Sequence, residues 1–329
     1  MSSTQSSTLQ VPARTAEPGP DILALGEPLV EFSAESDGAL EDSVRFTLGF
    51  GGDTSNMVVA AARSGARTGY LTRIGDDAFG RLLTEMWTRE GVDVTGVVRE
   101  PGANTGLYFI TRHAQEGHRF TYRRAGSAAS RLGPDDISGA SLACARLLHV
   151  SGISQAVSAS ACDAALHGMR IARSVGTLVS YDPNYRPALW SLDRARATIL
   201  HSASLADILL PSLEEGRLIT GQQRPEDVVA CFARQGPAVV VLKMGDEGVL
   251  LSESGRLTRI PAHRVRAVDA TGAGDTFDGA FAARLVAGDT VSDAAGYAVV
   301  AAALTTTGQG AVGPIPHRDL VAQARVSAL

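Results

Sequence analysis

The segment of this 329-residue chain with the clearest chemical potential is Val265-Arg-Ala-Val-Asp269-Ala-Thr271-Gly272-Ala273-Gly274-Asp275-Thr276-Phe277. A short apolar approach enters a glycine turn, and an amphipathic pattern leaves it. Successive backbone N–H groups at a helix start form an anion site. Glycine permits close approach and unusual dihedrals there. Asp275 in the first helical turn fits poorly with anion binding alone, because a carboxylate repels phosphate. Two roles are open for it. One is to take the proton from a hydroxyl that attacks a phosphoryl group. The other is that of an ordinary helix N-terminal acid.

Other phosphate motifs are absent. A Walker A loop fails because Lys243 is followed by Met244, and a Rossmann fingerprint fails because Phe277 stands where the third glycine is needed. His317-Arg318-Asp319-Leu320 mimics a kinase catalytic loop, but Ala324 occupies its asparagine position, so the match is a chance one.

The elements that must position this turn follow a regular rhythm. Short apolar runs at 22–25, 68–73, 146–150, 178–181, 208–210 and 238–242 predict buried strands. Helix-like segments at 54–63, 78–90, 160–173, 192–201 and 225–234 separate them. Three more follow at 275–287, 291–306 and 317–326. Alternation of this kind predicts an α/β fold, a doubly wound, mostly parallel sheet flanked by helices. Two stretches break the rhythm. Residues 31–48 are polar and weakly alternating, and 105–124 predict a hairpin turning at Ala114-Gln-Glu-Gly. Both suit a small β lid at the sheet edge.

Bulk composition excludes several classes. The hydrophobic fraction of 44% supports a large core. A net charge of −5, with both signs interspersed, argues against a general nucleic-acid binder. No uninterrupted apolar stretch is long enough for a membrane span. Of the 30 Lys and Arg residues, Lys243 alone is lysine. Cys144, Cys162 and Cys231 are scattered without metal-site spacing, which predicts buried thiols in a reducing cytoplasm. Residues 1–20, rich in Ser, Thr and Pro, predict a disordered tail, leaving 21–329 as one domain.

Asp269-Ala-Thr-Gly-Ala-Gly-Asp275 resembles the C-terminal signature of the ribokinase-like carbohydrate kinases. Gly49-Phe-Gly51-Gly52-Asp53-Thr54-Ser55-Asn56, with Ile74-Gly75-Asp-Asp77-Ala-Phe-Gly80 after it, resembles the N-terminal one. The likeness covers roughly residues 21–315, with lid segments near 31–48 and 105–125. It implies ATP and Mg2+ as cofactors. By it, Gly272, Ala273 and Gly274 hold the γ-phosphate and Asp275 is the base. Lys243, Gly245 and Gly248, in Val241-Leu-Lys-Met-Gly-Asp-Glu-Gly248, match the ATP segment. Lys243 is open between a phosphate contact and a surface lysine. The family's N-x-x-E motif falls on Ser212-Leu-Glu-Glu215, with serine in place of asparagine. Glu215 is then expected to orient metal-bound water, with Ser212 beside the ATP. Asp269, Thr271 and the loop Gly308-Gln-Gly310-Ala311 resemble a monovalent-cation (K+) site.

Within the family, Gly26-Glu27-Pro28 and Asp182-Pro-Asn184-Tyr185-Arg186-Pro-Ala-Leu-Trp190 are similar to 2-keto-3-deoxygluconate kinases. Tyr122-Arg-Arg124-Ala-Gly-Ser resembles their lid hinge. The implied acceptor is a sugar acid, phosphorylated at its 6-hydroxyl. Gly51, Gly52, Asn56, Tyr108, Tyr122, Arg124 and Arg186 would hold it, the two arginines as planar forks for its carboxylate. The alternatives are a fructokinase or other neutral-sugar kinase and a catalytically silent sugar-binding regulator. Expected partners are small molecules, with no nucleic acid or membrane and a possible homo-oligomer in the cytoplasm.

Overall fold

The computed structural model describes residues 9–13, 19–113 and 117–327. Its strands, in chain order, are β1 (Ile22–Leu25), β2 (Leu29–Asp37), β3 (Phe46–Gly51), β4 (Thr68–Gly75), β5 (Val92–Asp93), β6 (Val97–Glu100) and β7 (Leu107–His113). They continue with β8 (Gly117–Arg123), β9 (Leu147–Ser151), β10 (Leu178–Asp182), β11 (Ile208–Leu209), β12 (Val239–Lys243), β13 (Val249–Glu253) and β14 (Arg256–Ile260). The helices are α1 (Asp53–Arg63), α2 (Ala78–Arg89), α3 (Gly139–Cys144), α4 (Gly152–Ala156), α5 (Ala159–Ser174) and α6 (Leu192–Leu205). After them come α7 (Leu213–Thr220), α8 (Pro225–Ala233), α9 (Ala273–Ala287), α10 (Val291–Thr305) and α11 (Arg318–Ser327).

A ten-stranded sheet runs β14-β13-β12-β11-β10-β9-β1-β4-β5, with β6 beside β4. Pairing is parallel from β12 to β5, and β13 and β14 continue it antiparallel. Strands β1, β9 and β10 are buried at every residue. That is why they read as unbroken apolar runs. Their side chains alternate between two cores. Ile22 and Ala24 join one with α1, α2, α9 and α10, and Leu23 and Leu25 join the other with α5, α6 and α8. The doubly wound architecture follows.

The two arrhythmic stretches pair with each other in a second sheet, ordered β3-β2-β7-β8. Its central pair, β2 with β7, is parallel, and both outer pairs are antiparallel. The turn expected at 114–116 lies outside the described residues. So does most of the N-terminal tail, but Leu9 and Val11 pack on the core and Arg146 Nε donates to Pro12 O at 2.7 Å. Those two apolar side chains give residues 9–13 a surface to bury, against the disorder expected there. The cysteines are half-buried rather than buried, and no disulfide joins them. Among the described residues, no helix is long and apolar enough to cross a membrane.

Helices α1 and α9 approach closely enough to touch through backbone. A Cβ at Gly279 would lie 2.3 Å from Met57 O and 2.8 Å from Ala61 N. Gly279→Ala should therefore lower the urea midpoint, by a stability of about 1–3 kcal/mol for an overpacked core. An unchanged midpoint would mean that the helices have room to part.

Candidate active site

Gly272, at φ 75°, is the N-cap of α9. A Cβ there would sit 2.8 Å from Ala311 O, so both its conformation and its space require glycine. The loop behind it is tied twice. Asp269 accepts from Thr271 N (2.9 Å), Thr271 Oγ1 (2.7 Å) and Gly310 N (2.9 Å). Burial alone would raise the pKa of Asp269, but these hydrogen bonds hold it below the usual carboxylate range. Arg63, at the end of α1, donates from Nη1 to Val312 O (3.0 Å) and Ile315 O (2.7 Å). Its Nε and Nη2 hold Glu90 at 2.8 and 2.7 Å.

Asp275 follows in the first turn of α9, on the cleft floor. Asn56 Nδ2, from α1, donates to its Oδ2 at 2.7 Å, so the two glycine-rich segments meet. Asn56 Oδ1 is buried with no hydrogen-bond partner. Burial, then the charges of Asp53 and Asp182, push the Asp275 pKa up to about 7. The Asn56 hydrogen bond and Lys243 pull it the other way. A carboxylate titrating near neutrality suits proton abstraction better than a solvated one does.

Lys243, at the end of β12, lies beneath this turn. Its Nζ donates to Asp182 Oδ2 (3.0 Å) and to Asp278 Oδ1 (3.0 Å). Burial lowers the affinity of the ammonium for its proton, but Asp182, Asp278 and Glu215 outweigh that and keep it charged. Burial also pushes Asp278 well up. Asp182 goes down despite its burial, chiefly through Lys243. The lysine is therefore neither a solvated surface residue nor an unengaged phosphate contact.

A cavity of about 570 Å³ opens here, lined by Lys243, Gly245, Gly248, Ala273, Gly274, Phe277, Val299, Ala303 and Thr306 among others. That size and mixed lining suit a nucleotide. Ser212, expected next to ATP, does not line it. It caps α7 instead: Glu215 N donates to Ser212 Oγ at 3.3 Å and Ser212 N to Glu215 Oε2 at 3.1 Å. Serine caps a helix as well as asparagine does, which accounts for the departure from N-x-x-E. Burial raises the Glu215 pKa. Among the described residues no cluster of His, Cys, Asp or Glu could enclose a metal by itself.

The second sheet stands over the start of α1, where the residues expected to hold the acceptor gather. Tyr108 abuts Gly51, where a Cβ would lie 2.4 Å from its hydroxyl. That hydroxyl donates to buried Glu31. Tyr122 stacks on Tyr108 at 5.8 Å and is 43% exposed. Gly52, at φ 94°, joins β3 to α1, and Glu27 O leaves no room for a Cβ on it. Asn184 Nδ2 donates to Asp53 Oδ2 at 3.0 Å, closing the floor.

The two arginines differ. Arg124 is 12% exposed, ion-paired with Glu27 and set 5.3 Å over the Tyr122 ring. It does not offer a free fork, because Glu27, 2% exposed, needs its charge. Ser127 Oγ gives Glu27 a further hydrogen bond at 3.0 Å. Arg186 is 50% exposed, lies 3.5 Å from Glu215 and donates to its own neighbour's carbonyl, Tyr185 O.

The profile of the pfkB family carbohydrate kinases matches residues 20–318. The chain belongs to that family. It is a phosphotransferase acting on a sugar. The 2-dehydro-3-deoxygluconokinase of Bacillus subtilis (strain 168) is 33% identical over 308 residues, covering 92% of this chain and 94% of that one. That of Thermoproteus tenax is 35% identical, covering 88% and 89%. Fructokinase-1 of Zea mays is 34% identical, covering 92% and 96%. A putative Ribokinase II from E. coli, solved in complex with ATP and Mg2+, superposes with a TM-score of 0.86 at 25% identity, covering 94% of this chain and 99% of that one.

Several residues of this kinase's site were not expected. Asp53, Asp182 and Asn184 stand inside quoted motifs without an assigned role. Asp278 shows one signal in the sequence, a lone acid in the apolar run Phe277–Val286 that faces inward. Glu27, after β1, and Glu31, within β2, are likewise buried acids beside apolar residues. The capping role of Ser212 is directly testable. Ser212→Asn should leave thermal stability nearly unchanged, whereas Ser212→Ala should cost about 1 kcal/mol. Equal stability in all three forms would remove the cap explanation.

Proposed function

We propose that this kinase transfers the γ-phosphate of ATP to the 6-hydroxyl of 2-keto-3-deoxygluconate. The observation that carries the phosphotransfer mechanism is the Asn56–Asp275 contact, beside Gly274 at the nucleotide-sized cavity and within the charge range of Tyr108. Asp275 takes the proton of the attacking hydroxyl, and the amides of Gly272, Ala273 and Gly274 receive the charge that builds on the phosphoryl group. The unpartnered Asn56 Oδ1 accepts from an acceptor hydroxyl. Gly51 and Gly52 let the acceptor approach the backbone, and Tyr108 and Tyr122 form its wall. The half-exposed Arg186 meets the carboxylate, with Arg124 behind it sharing its charge with Glu27.

Gly245 and Gly248 shape the nucleotide turn. Glu215, with one oxygen held by the Ser212 amide, would orient water bound to the Mg2+ that accompanies ATP, and the ion would neutralise phosphate charge. A K+ ion near Asp269 and Thr271 would rely mostly on backbone carbonyls, because three of the carboxylate's lone-pair positions are filled. The second reading is a fructokinase. The internal neutralisation of Arg124 favours it, along with the 34% identity to the maize enzyme.

A coupled assay over fructose, related neutral sugars and keto sugar acids separates the two. The keto acid should give the highest kcat/KM, and faster turnover of fructose would overturn the sugar-acid reading. Asp275→Asn should lower kcat by about 10²–10⁴ with ATP binding retained. Near-normal turnover would sink its role as base.

A further inference from the structure

We propose that Lys243 is a positioning residue for the base Asp275 and not a phosphate ligand. The inference rests on Asp275 being the base. Three elements end at this ammonium. Lys243 closes β12, Asp182 closes β10, and Asp278 lies one turn beyond Asp275 on α9. Nζ holds Asp182 Oδ2 at 3.0 Å and Asp278 at 3.0 and 3.3 Å. An ammonium has three donors, and these carboxylates take at least two of them. Bound this way, α9 cannot rotate about its axis without breaking the clamp, so Asp275 keeps facing Asn56. The side chain is 13% exposed, and a Cβ on Gly274 would stand 3.7 Å from Nζ. The charge therefore lies under the turn.

Composition supports the same assignment. The chain uses arginine at every cationic position but this one. A lysine here places a compact point charge between two carboxylates on different elements, where a guanidinium would present a planar fork. The bland explanation of a drifted surface lysine fails on burial.

The charged and titratable groups facing Asp275 are Asp53 from α1, Asp182 from β10, Lys243 from β12 and Tyr108 from the lid. Those facing Lys243 are Asp182, Asp278, Glu215 and His149. Lys243 is the cation among the groups acting on Asp275, opposing Asp53 and Asp182. His149 does not compensate, because burial pushes its pKa down to about 4 and leaves it neutral. Removing the ammonium therefore raises the pKa of the base, and activity that needs its carboxylate form is lost at higher pH than before.

The test is Lys243→Met in the full chain with MgATP and the best acceptor of the wild-type enzyme. The acid limb of kcat/KM should move up by about one pH unit, a fall of about tenfold at a pH below the limb. The Kd for ATP, measured by calorimetry without acceptor, should stay within about threefold. A Kd about tenfold weaker, or an unmoved acid limb, overturns the proposal. If Lys243→Met does not fold, Lys243→Met/Asp278→Asn removes the ammonium with one partner, and the same two outcomes apply. An Asp275→Asn enzyme that keeps the wild-type acid limb marks failure of the base assignment, whereas one that loses the limb leaves any failure above to the positioning role.

Discussion

Helices α1 and α9 meet backbone to backbone because Gly279 presents no side chain to Met57 O. The rest of the site depends on that closeness. It brings Asn56, in the first turn of one helix, within 2.7 Å of Asp275, in the first turn of the other. Both helices start from glycines with positive φ, Gly52 and Gly272, so both N-termini open at the same level of the cleft. Arg63 then uses the far end of α1 to hold the carbonyls of the loop that backs Gly272. One helix thus supports the turn of the other at two points along its length.

The second constraint is charge. Asp53, Asp182, Asp275 and Asp278 are gathered where water is scarce, and burying carboxylates is costly unless each finds a partner. Asp53 has Asn184 and the Thr54 amide, Asp275 has Asn56, and Asp182 has Lys243 and the Asn184 amide. The partners are mostly neutral amides. They satisfy hydrogen bonding without cancelling charge, so burial first and mutual repulsion second hold the Asp275 pKa up at about 7. Beside the second sheet Glu27 is paired with the charge of Arg124, whereas Glu31 again has a neutral partner, the Tyr108 hydroxyl.

Much of this was legible in the chain because it is local. Glycine turns followed by polar residues at helix starts, as in Gly51 to Asn56 and Gly272 to Asp275, carry their meaning in adjacent positions. Strands β1, β4, β9, β10, β11 and β12 were legible because burial on both faces leaves no alternation, whereas β5, β6 and β14, short or largely exposed, were not among the expected strands. Contacts between distant elements were not. Lys243 meets Asp278 across 35 residues and Glu27 meets Arg124 across about a hundred, and no local pattern announces either pair. The parallel pairing of β2 with β7 has the same origin: each strand shows only that it is an edge-like, two-faced segment, not which strand it will join. Ser212 looked like a lost ligand because a motif names the residue at a position and not the cap it forms.

The two halves of the cleft come from separate parts of the chain. Every residue lining the nucleotide-sized cavity falls between Lys243 and Thr306, whereas the second sheet is built before Arg124. The bonds that join the two parts include Asn56 to Asp275, Lys243 to Asp182, Arg186 to Glu215, and Arg63 to Val312 and Ile315. A recombination breakpoint near β11 would exchange one part for another, but each of those joints, and the backbone contact of α1 with α9, would then have to be rematched.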